Sequence, residues 1–363
     1  MTTTRWLKAA AGAAAVMTAT AACSSSSKPA SSGTTTTAAP KVQCATGSVS
    51  AAGSTFVQNL AQQWIKDYEA ACPGATVNYQ GVGSGAGVQQ LLAGTVDFAG
   101  SDFPLGTADM ATAQSKGGAV VQVPWAAGGI ALEYKLNGVT DLKLSPDTIA
   151  SIFAGKVTKW DDAAIKADNA GAALPSEGIT VVHRSDGSGT TNALTSYLTA
   201  VSPGIWTFGS DKTWKSPAGQ GAKGSDQVTA VVKQTEGAIG YAELSFAKGN
   251  SLSVAAVKNP SGQFVSPDST SVKAALAEAT VPGTGLVKLN FMPSDAGAYP
   301  ISIATWAIVY QKPSDPAKAK LIQSFLTYAS TTGQSAADGL YYTPLPAMFG
   351  STDTALIASI QTS

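Results

Sequence analysis

The chain has 363 residues, 44% of them hydrophobic and only 13% charged, enough apolar material for a sizeable globular core. Its 23 basic and 23 acidic residues cancel, which excludes the strongly basic surface that nucleic-acid binding demands. One histidine and three cysteines, with no cluster at metal-ligand spacing, leave no material for a zinc site or a Ser-His-Asp triad. Neither metal, cofactor nor catalysis is expected.

In chain order, Arg5 and Lys8 come first, ahead of an apolar stretch of small side chains, Ala9 to Ala19. That stretch is too short to cross about 30 Å of hydrocarbon. Residues 1–22 read as a signal peptide, ending in the small residues Thr20-Ala21-Ala22 before Cys23. The junction resembles a bacterial lipobox, in which Cys23 becomes the lipidated first residue of an extracytoplasmic protein held at the cell membrane. An ordinary signal peptide with an incidental cysteine is the alternative. Residues 23–41 are a Ser/Thr/Ala-rich flexible linker with too little apolar bulk to fold. Removing residues 1–22 leaves 21 basic against 23 acidic residues, so an anion must be held by a local site and not by the overall field. Cys44 and Cys72 then lie where disulfides persist. They are expected to pair and pin the start of the folded body to the end of its first helix, two free thiols being the alternative.

The body, roughly 320 residues from Lys41 onward, exceeds what one core usually reaches, so two domains are expected. Phe56, Leu60, Trp64, Ile65 and Tyr68 fall at helical spacing, as do Val88, Leu91 and Leu92. Strands are predicted at Ala75 to Tyr79, Val96 to Gly100 and Val120 to Trp125, and further on at Ile179 to His183 and Ala238 to Tyr241. Leu194 to Leu198, Val228 to Val232 and Leu321 to Phe325 fit helices. The alternation is that of an α/β protein. Two segments look like crossings between domains: residues 125–129 leading into Ile130 to Tyr134, and residues 297–300 leading into Ile301 to Tyr310. If they pair, lobe 1 takes residues 42–125 plus 301–363 and lobe 2 takes 126–300, a two-lobed arrangement that closes on a ligand.

Three junctions rich in Gly, Ser and Thr precede helices: Gly53-Ser54-Thr55-Phe56, Gly81 to Gly87, and Arg184 to Thr191. A helix N-terminus offers unpaired backbone N–H groups and partial positive charge, so it suits an anion. Glycine lets the backbone approach, and hydroxyls add donors. Each junction alone is more often a plain N-cap. Three in one chain, one of them carrying Arg184, point to an oxyanion. Asp102, in Ser101-Asp102-Phe103-Pro104-Leu105, puts a carboxylate at a strand end, where a turn starter is the plain reading. Facing an anion it would repel, unless the ligand brings a proton to donate. Hydrogen phosphate has one at neutral pH and sulfate has none, so an acceptor among donors selects phosphate.

Tyr79-Gln80-Gly81-Val82-Gly83-Ser84, Asp97-Phe98-Ala99-Gly100-Ser101-Asp102 and Arg184-Ser185-Asp186-Gly187-Ser188-Gly189-Thr190 resemble the phosphate-binding proteins of the Pst transporter family. So do residues 152–162, 219–226 and 237–241, in order over essentially the whole body. The resemblance implies a type II periplasmic-binding-protein fold, two α/β domains joined by paired hinge strands with the ligand in the cleft. It implies that Thr55 and Phe56 give backbone N–H groups, Thr55 its hydroxyl too, and that Ser84 donates from hydroxyl and N–H. Asp102 would accept the phosphate proton. Arg184 would be the guanidinium on the ligand, held by an ion pair with Asp186, and Ser188, Gly189 and Thr190 would complete the ring. Ser54 and His183 depart from the family pattern at positions that need not touch ligand. The implied partners are inorganic phosphate and an ABC permease with a cytoplasmic ATPase.

The rival readings are a secreted hydrolase, another oxyanion or a phosphorylated small molecule on the same fold, and a surface adhesin. Ser188 does not stand in a G-x-S-x-G elbow, which argues against the first. Trp125, Trp160, Trp206, Trp214 and Trp306 are read as packing residues, not stacking platforms.

Overall fold

The computed structural model describes residues 42–363; the signal peptide, the linker and Cys23 lie outside the described residues. One mixed sheet runs through the body. Its strands are β1 (Gly47–Gly53), β2 (Ala75–Gly81), β3 (Phe98–Ser101), β4 (Val120–Lys135), and, beyond the short β5 (Lys143–Leu144), β6 (Thr180–Arg184), β7 (Gln220–Ala222) and β8 (Ala238–Glu243). The short β9 (Ser253–Val254), β10 (Ala256–Lys258) and β11 (Phe264–Val265) follow, and then β12 (Ser302–Tyr310). The spatial order is β2-β1-β3-β12-β4-β8-β6-β7, with β9 beside β4, while β11-β10-β5 form a separate small sheet.

The outer strands alternate and the central ones do not. In β2, Ala75, Val77 and Tyr79 point inward and the residues between them outward, whereas β4 and β12 are buried almost throughout. A strand covered on both faces reads as a continuous apolar run, which is why 16 residues of β4 carry so little polarity. Val120 to Trp125, predicted as a strand by itself, is only its first part. β4 changes partner midway: Val120 to Gly129 pair antiparallel with β12, and Ile130 to Lys135 pair antiparallel with β8. The second predicted crossing meets the first there, since the Ile130 amide donates to the Ile301 carbonyl at 2.8 Å. Gly128 and Gly129 occupy this step because the surroundings are full. A Cβ on Gly129 would lie 2.9 Å from Pro267, and one on Gly128 3.0 Å from the Phe56 ring.

Parallel β1 and β2 are linked by the helix Gln58–Ala71, which buries Leu60, Ala61, Trp64, Ile65 and Tyr68 as its spacing predicts. The helix begins two residues beyond Phe56, so Ser54, Thr55 and Phe56 form a turn between β1 and the helix rather than its first turn. Cys44 and Cys72 are disulfide-bonded, tying the segment before β1 to the end of this helix as expected. Trp125 lies at the core with Trp64, Tyr79 and Phe98 around it at centroid separations of 5.6, 5.8 and 6.0 Å. Trp160, Trp206 and Trp306 are also buried, and half-buried Trp214 stacks on His183.

Candidate functional site

The three glycine-rich junctions converge where β1, β2, β3 and β6 end. Ser84 opens the helix Ser84–Leu92, and Gly83 before it has φ 93°, the left-handed region where glycine is at home. A Cβ on Gly83 would stand 2.1 Å from Asp186 Oδ2, so the glycine is also what lets the second junction meet the third. Gly189 opens the helix Gly189–Val201, whose N-cap hydroxyl, Ser188 Oγ, accepts from the Thr191 amide at 3.2 Å. Across the two halves of the sheet, the Gly85 amide donates to the Gly187 carbonyl at 2.9 Å.

Arg184 is the centre of one cluster. It is 2% exposed, and its Nε and Nη2 donate to the two oxygens of Asp186 at 2.7 and 2.5 Å. Such a two-point pair fixes the plane of the guanidinium and leaves one edge for other acceptors. That edge, Nη1, faces Thr55 Oγ1 and Thr190 Oγ1 at 3.1 Å each and Ser225 Oγ at 3.4 Å. Burial opposes the charge on Asp186, but the Arg184 guanidinium outweighs it and holds the carboxyl below the usual range. Ser188 Oγ and Thr190 Oγ1 are 2.6 Å apart in the same cluster.

Asp102 is the centre of the other. It follows β3 and is 6% exposed. Ser54 Oγ donates to its Oδ1, and Ser84 Oγ to its Oδ2 at 3.2 Å. Burial pushes its pKa up, against the pull of Ser54, Thr305, Arg184 and Ser84. Gly189 joins the clusters, since a Cβ there would fall 2.2 Å from Asp102 Cβ and 2.4 Å from Oδ2. Phe56 lines the same place through its backbone, its amide donating to Ser54 Oγ at 3.0 Å.

The residues singled out from the sequence as facing the anion, Thr55, Phe56, Ser84, Asp102, Arg184, Ser188, Gly189 and Thr190, therefore meet in one buried group, with the half-buried Asp186 beside Arg184. Sequence reasoning named Ser54 only as a departure from the family pattern and gave no role to Ser225. Ser225 is a hydroxyl near the start of the helix Gly224–Gln234, so the rule that found the other three junctions applies to it as well. It also passed over Tyr241, whose hydroxyl accepts from the Arg184 amide at 3.1 Å, and Tyr79, whose hydroxyl donates to the Ser54 carbonyl at 2.8 Å. Both stand in strands, where an inward tyrosine reads as packing. Among the described residues, no group of three or more His, Cys, Asp or Glu could hold a metal ion.

A buried ring of hydroxyls and one anchored guanidinium, opposed by one carboxylate, at the meeting point of two halves of an α/β sheet, belongs to a two-lobed ligand-binding protein. A family model described as a PBP superfamily domain matches residues 8–332. The chain is 39% identical over 313 residues to the phosphate-binding protein PstS 3 of Mycobacterium leprae, covering 84% of each. It is 37% identical over 311 residues to the phosphate-binding protein PstS of Xylella fastidiosa, covering 84% of this chain and 83% of the relative. Among solved structures it is similar to a high-affinity periplasmic phosphate-binding protein (PfluDING) bound with phosphate at pH 8.5. The TM-score there is 0.71 at 25% identity, covering 87% of this chain and 94% of that one. The fold is shared also with a phosphate-binding protein from Stenotrophomonas maltophilia, with TM-score 0.71 at 23% identity over 85% of this chain and 93% of that one. The chain belongs to the PBP superfamily and, within it, to the PstS family, whose members are binding proteins and not enzymes.

Proposed function

We propose that this chain binds inorganic phosphate outside the cytoplasmic membrane and delivers it to an ABC-type importer, a permease with a cytoplasmic ATPase. The observation that carries the reading is the placement of Asp102. A buried carboxylate, its oxygens already met by two hydroxyls, sits opposite a guanidinium and a ring of donors. Such a pairing suits a tetrahedral anion that carries a proton of its own. Thr55, Phe56, Ser84, Arg184, Ser188, Gly189 and Thr190 supply the donors, and Asp186 fixes Arg184. Relatives and a solved neighbour that carry phosphate in their names support the ligand.

Residues 42–125 with 301–363 act as one lobe and residues 126–300 as the other, hinging where β4 exchanges β12 for β8. The partner exchange supports a two-part division but falls between Gly129 and Ile130, so residues 126–129 stay paired with β12 of the first lobe. The segment around Gly285 reaches from the second lobe onto the first, its carbonyl accepting from Trp306 Nε1 at 2.7 Å. Lipidation at Cys23, with the linker as tether, would hold the body at the membrane.

Calorimetric titration of the ligand-free protein with phosphate and then sulfate tests the reading. Sub-micromolar phosphate binding without sulfate heat is expected, and Asp102→Asn should surrender much of that discrimination. A folded protein that takes up neither anion would overturn it.

A further inference from the structure

Ser54 is fully buried, and each of its polar groups has a partner. Its amide donates to the Gly100 carbonyl at 2.9 Å, and its carbonyl accepts from Tyr79 at 2.8 Å. Its hydroxyl oxygen accepts from the Phe56 amide at 3.0 Å. Asp102 Oδ1 is the acceptor that the Ser54 hydroxyl meets, so its single proton goes there whether the Phe56 amide stays on the Ser54 oxygen or turns to a ligand. Ser84 is directed in the same way. The Asp102 amide donates to its oxygen at 3.2 Å, which turns its proton toward Oδ2. The two serines differ in their freedom. Ser84 opens a helix among the ligand-facing residues and can turn its hydroxyl to an anion, whereas Ser54 has Oδ1 alone.

We infer that Ser54 is a specificity-determining residue: its one-way hydroxyl keeps Asp102 an ionised, acceptor-only group, so that the site refuses fully ionised tetrahedral anions. This rests on the phosphate reading above and adds to it a residue that never touches the ligand. Of the groups facing Asp102, the Arg184 guanidinium on β6 favours its ionised form. The Tyr79 phenol on β2 stays protonated and directs its hydrogen bond to the Ser54 carbonyl. Thr305 on β12 is uncharged; its hydroxyl donates to the Ser101 carbonyl at 3.0 Å and also favours the ionised form of Asp102, and the helix Gly189–Val201 presents Gly189. Burial drives the carboxyl toward its neutral form, so each donor lost brings protonation closer. A protonated Asp102 is itself a donor, and a donor there welcomes sulfate.

Removing the Ser54 hydroxyl should therefore let Asp102 take up its own proton at a higher pH. The test is to titrate ligand-free wild-type protein, Ser54→Ala and Ser54→Thr with sodium phosphate and sodium sulfate at steps from pH 5 to 8. Thermal unfolding of each variant monitors the fold. The hydrogen bond lost is one to a charged group, which sets the expected size of the effect. At the acidic end, Ser54→Ala should narrow the phosphate-to-sulfate affinity ratio by about tenfold or more, with sulfate binding appearing about one pH unit higher than in wild type. Ser54→Thr, which keeps the hydroxyl, should follow wild type. If Ser54→Ala keeps the wild-type ratio at every pH, or weakens both anions equally without moving the profile, Ser54 is a packing residue and the inference is wrong. Wild-type protein that binds neither anion would instead remove the phosphate reading beneath it.

Discussion

Gly189 stands where any side chain collides with the carboxylate it faces: a Cβ there would lie 2.2 Å from Asp102 Cβ. The two residues come from opposite halves of the sheet, so the missing side chain sets how closely those halves approach. Overpacking of this kind costs about 1–3 kcal/mol, or roughly 5- to 150-fold in a dissociation constant. Gly189→Ala should weaken phosphate binding within that range. The same collision exists in the folded chain before any ligand binds, so the melting temperature should fall too, at roughly 2–4 °C per kcal/mol. Calorimetry and thermal unfolding read the two separately. An unchanged affinity would mean that binding does not require this approach. Asp102 could be singled out from the sequence because a lone carboxylate among donor motifs is a contradiction, and the structure brings it against Ser54, Ser84 and Gly189. Ser54 could not, because a small residue before Thr55-Phe56 has no pattern of its own. Only the directions of its hydrogen bonds reveal what its hydroxyl does.

At the scale of the element, β1 and the helix after it form a unit closed at its outer end by the Cys44–Cys72 bond and open at the other end toward the site. The bond spans 28 residues of chain. In the chain-entropy account a loop of that length stabilises by about 3–4 kcal/mol. Replacing both cysteines by serine should lower the melting temperature by roughly 5–15 °C. Phosphate affinity should stay within about twofold, because Gly53 and Ser54 lie at the far end of β1 and the effect acts mainly on the unfolded chain. A large loss of affinity would instead mean that the cross-link positions the site. The helix of this unit was legible because Leu60, Trp64 and Tyr68 repeat at its period. β1 was not, since Gly47 to Gly53 is Gly, Ser, Ala and a single Val, and its strand character comes from β2 and β3 pairing on either side. The central strands showed the opposite difficulty. β4 is so uniformly apolar that no period marks its length, and its passage from one half of the sheet to the other is visible only in its change of partner. The small sheet of β5, β10 and β11 rests on two- and three-residue strands, too short for any periodicity to register.

On the scale of the whole molecule, the interior holds several carboxyls that burial drives toward the neutral form: Asp102 and Glu243 upward, and Glu133 and Asp353 up to about 8. Glu133 is the most informative of them because it stands on β4 away from the anion site. Its two oxygens receive the Thr229 hydroxyl at 2.9 and 3.1 Å. The ordinary value of the group is 4.5, so between there and about 8 the folded chain holds a proton that the unfolded chain has released. Stability then falls as pH rises through that interval, since the unfolded state binds fewer protons. At about 1.4 kcal/mol per pH unit, Glu133 alone accounts for a few kcal/mol between pH 5 and 8. Glu133→Gln keeps an oxygen for Thr229 and removes the titration. Its melting temperature should exceed wild type by a margin that grows from pH 5 to pH 8. For a chain of this size that margin should reach several degrees, at roughly 2–4 °C per kcal/mol. The other buried carboxyls act in the same direction in both proteins and drop out of the difference. Parallel curves for the two proteins would show that Glu133 does not change its charge in this interval. A widening gap would show that the scaffold holds a proton of its own at Glu133, one to be subtracted before any pH profile of anion binding is assigned to Asp102.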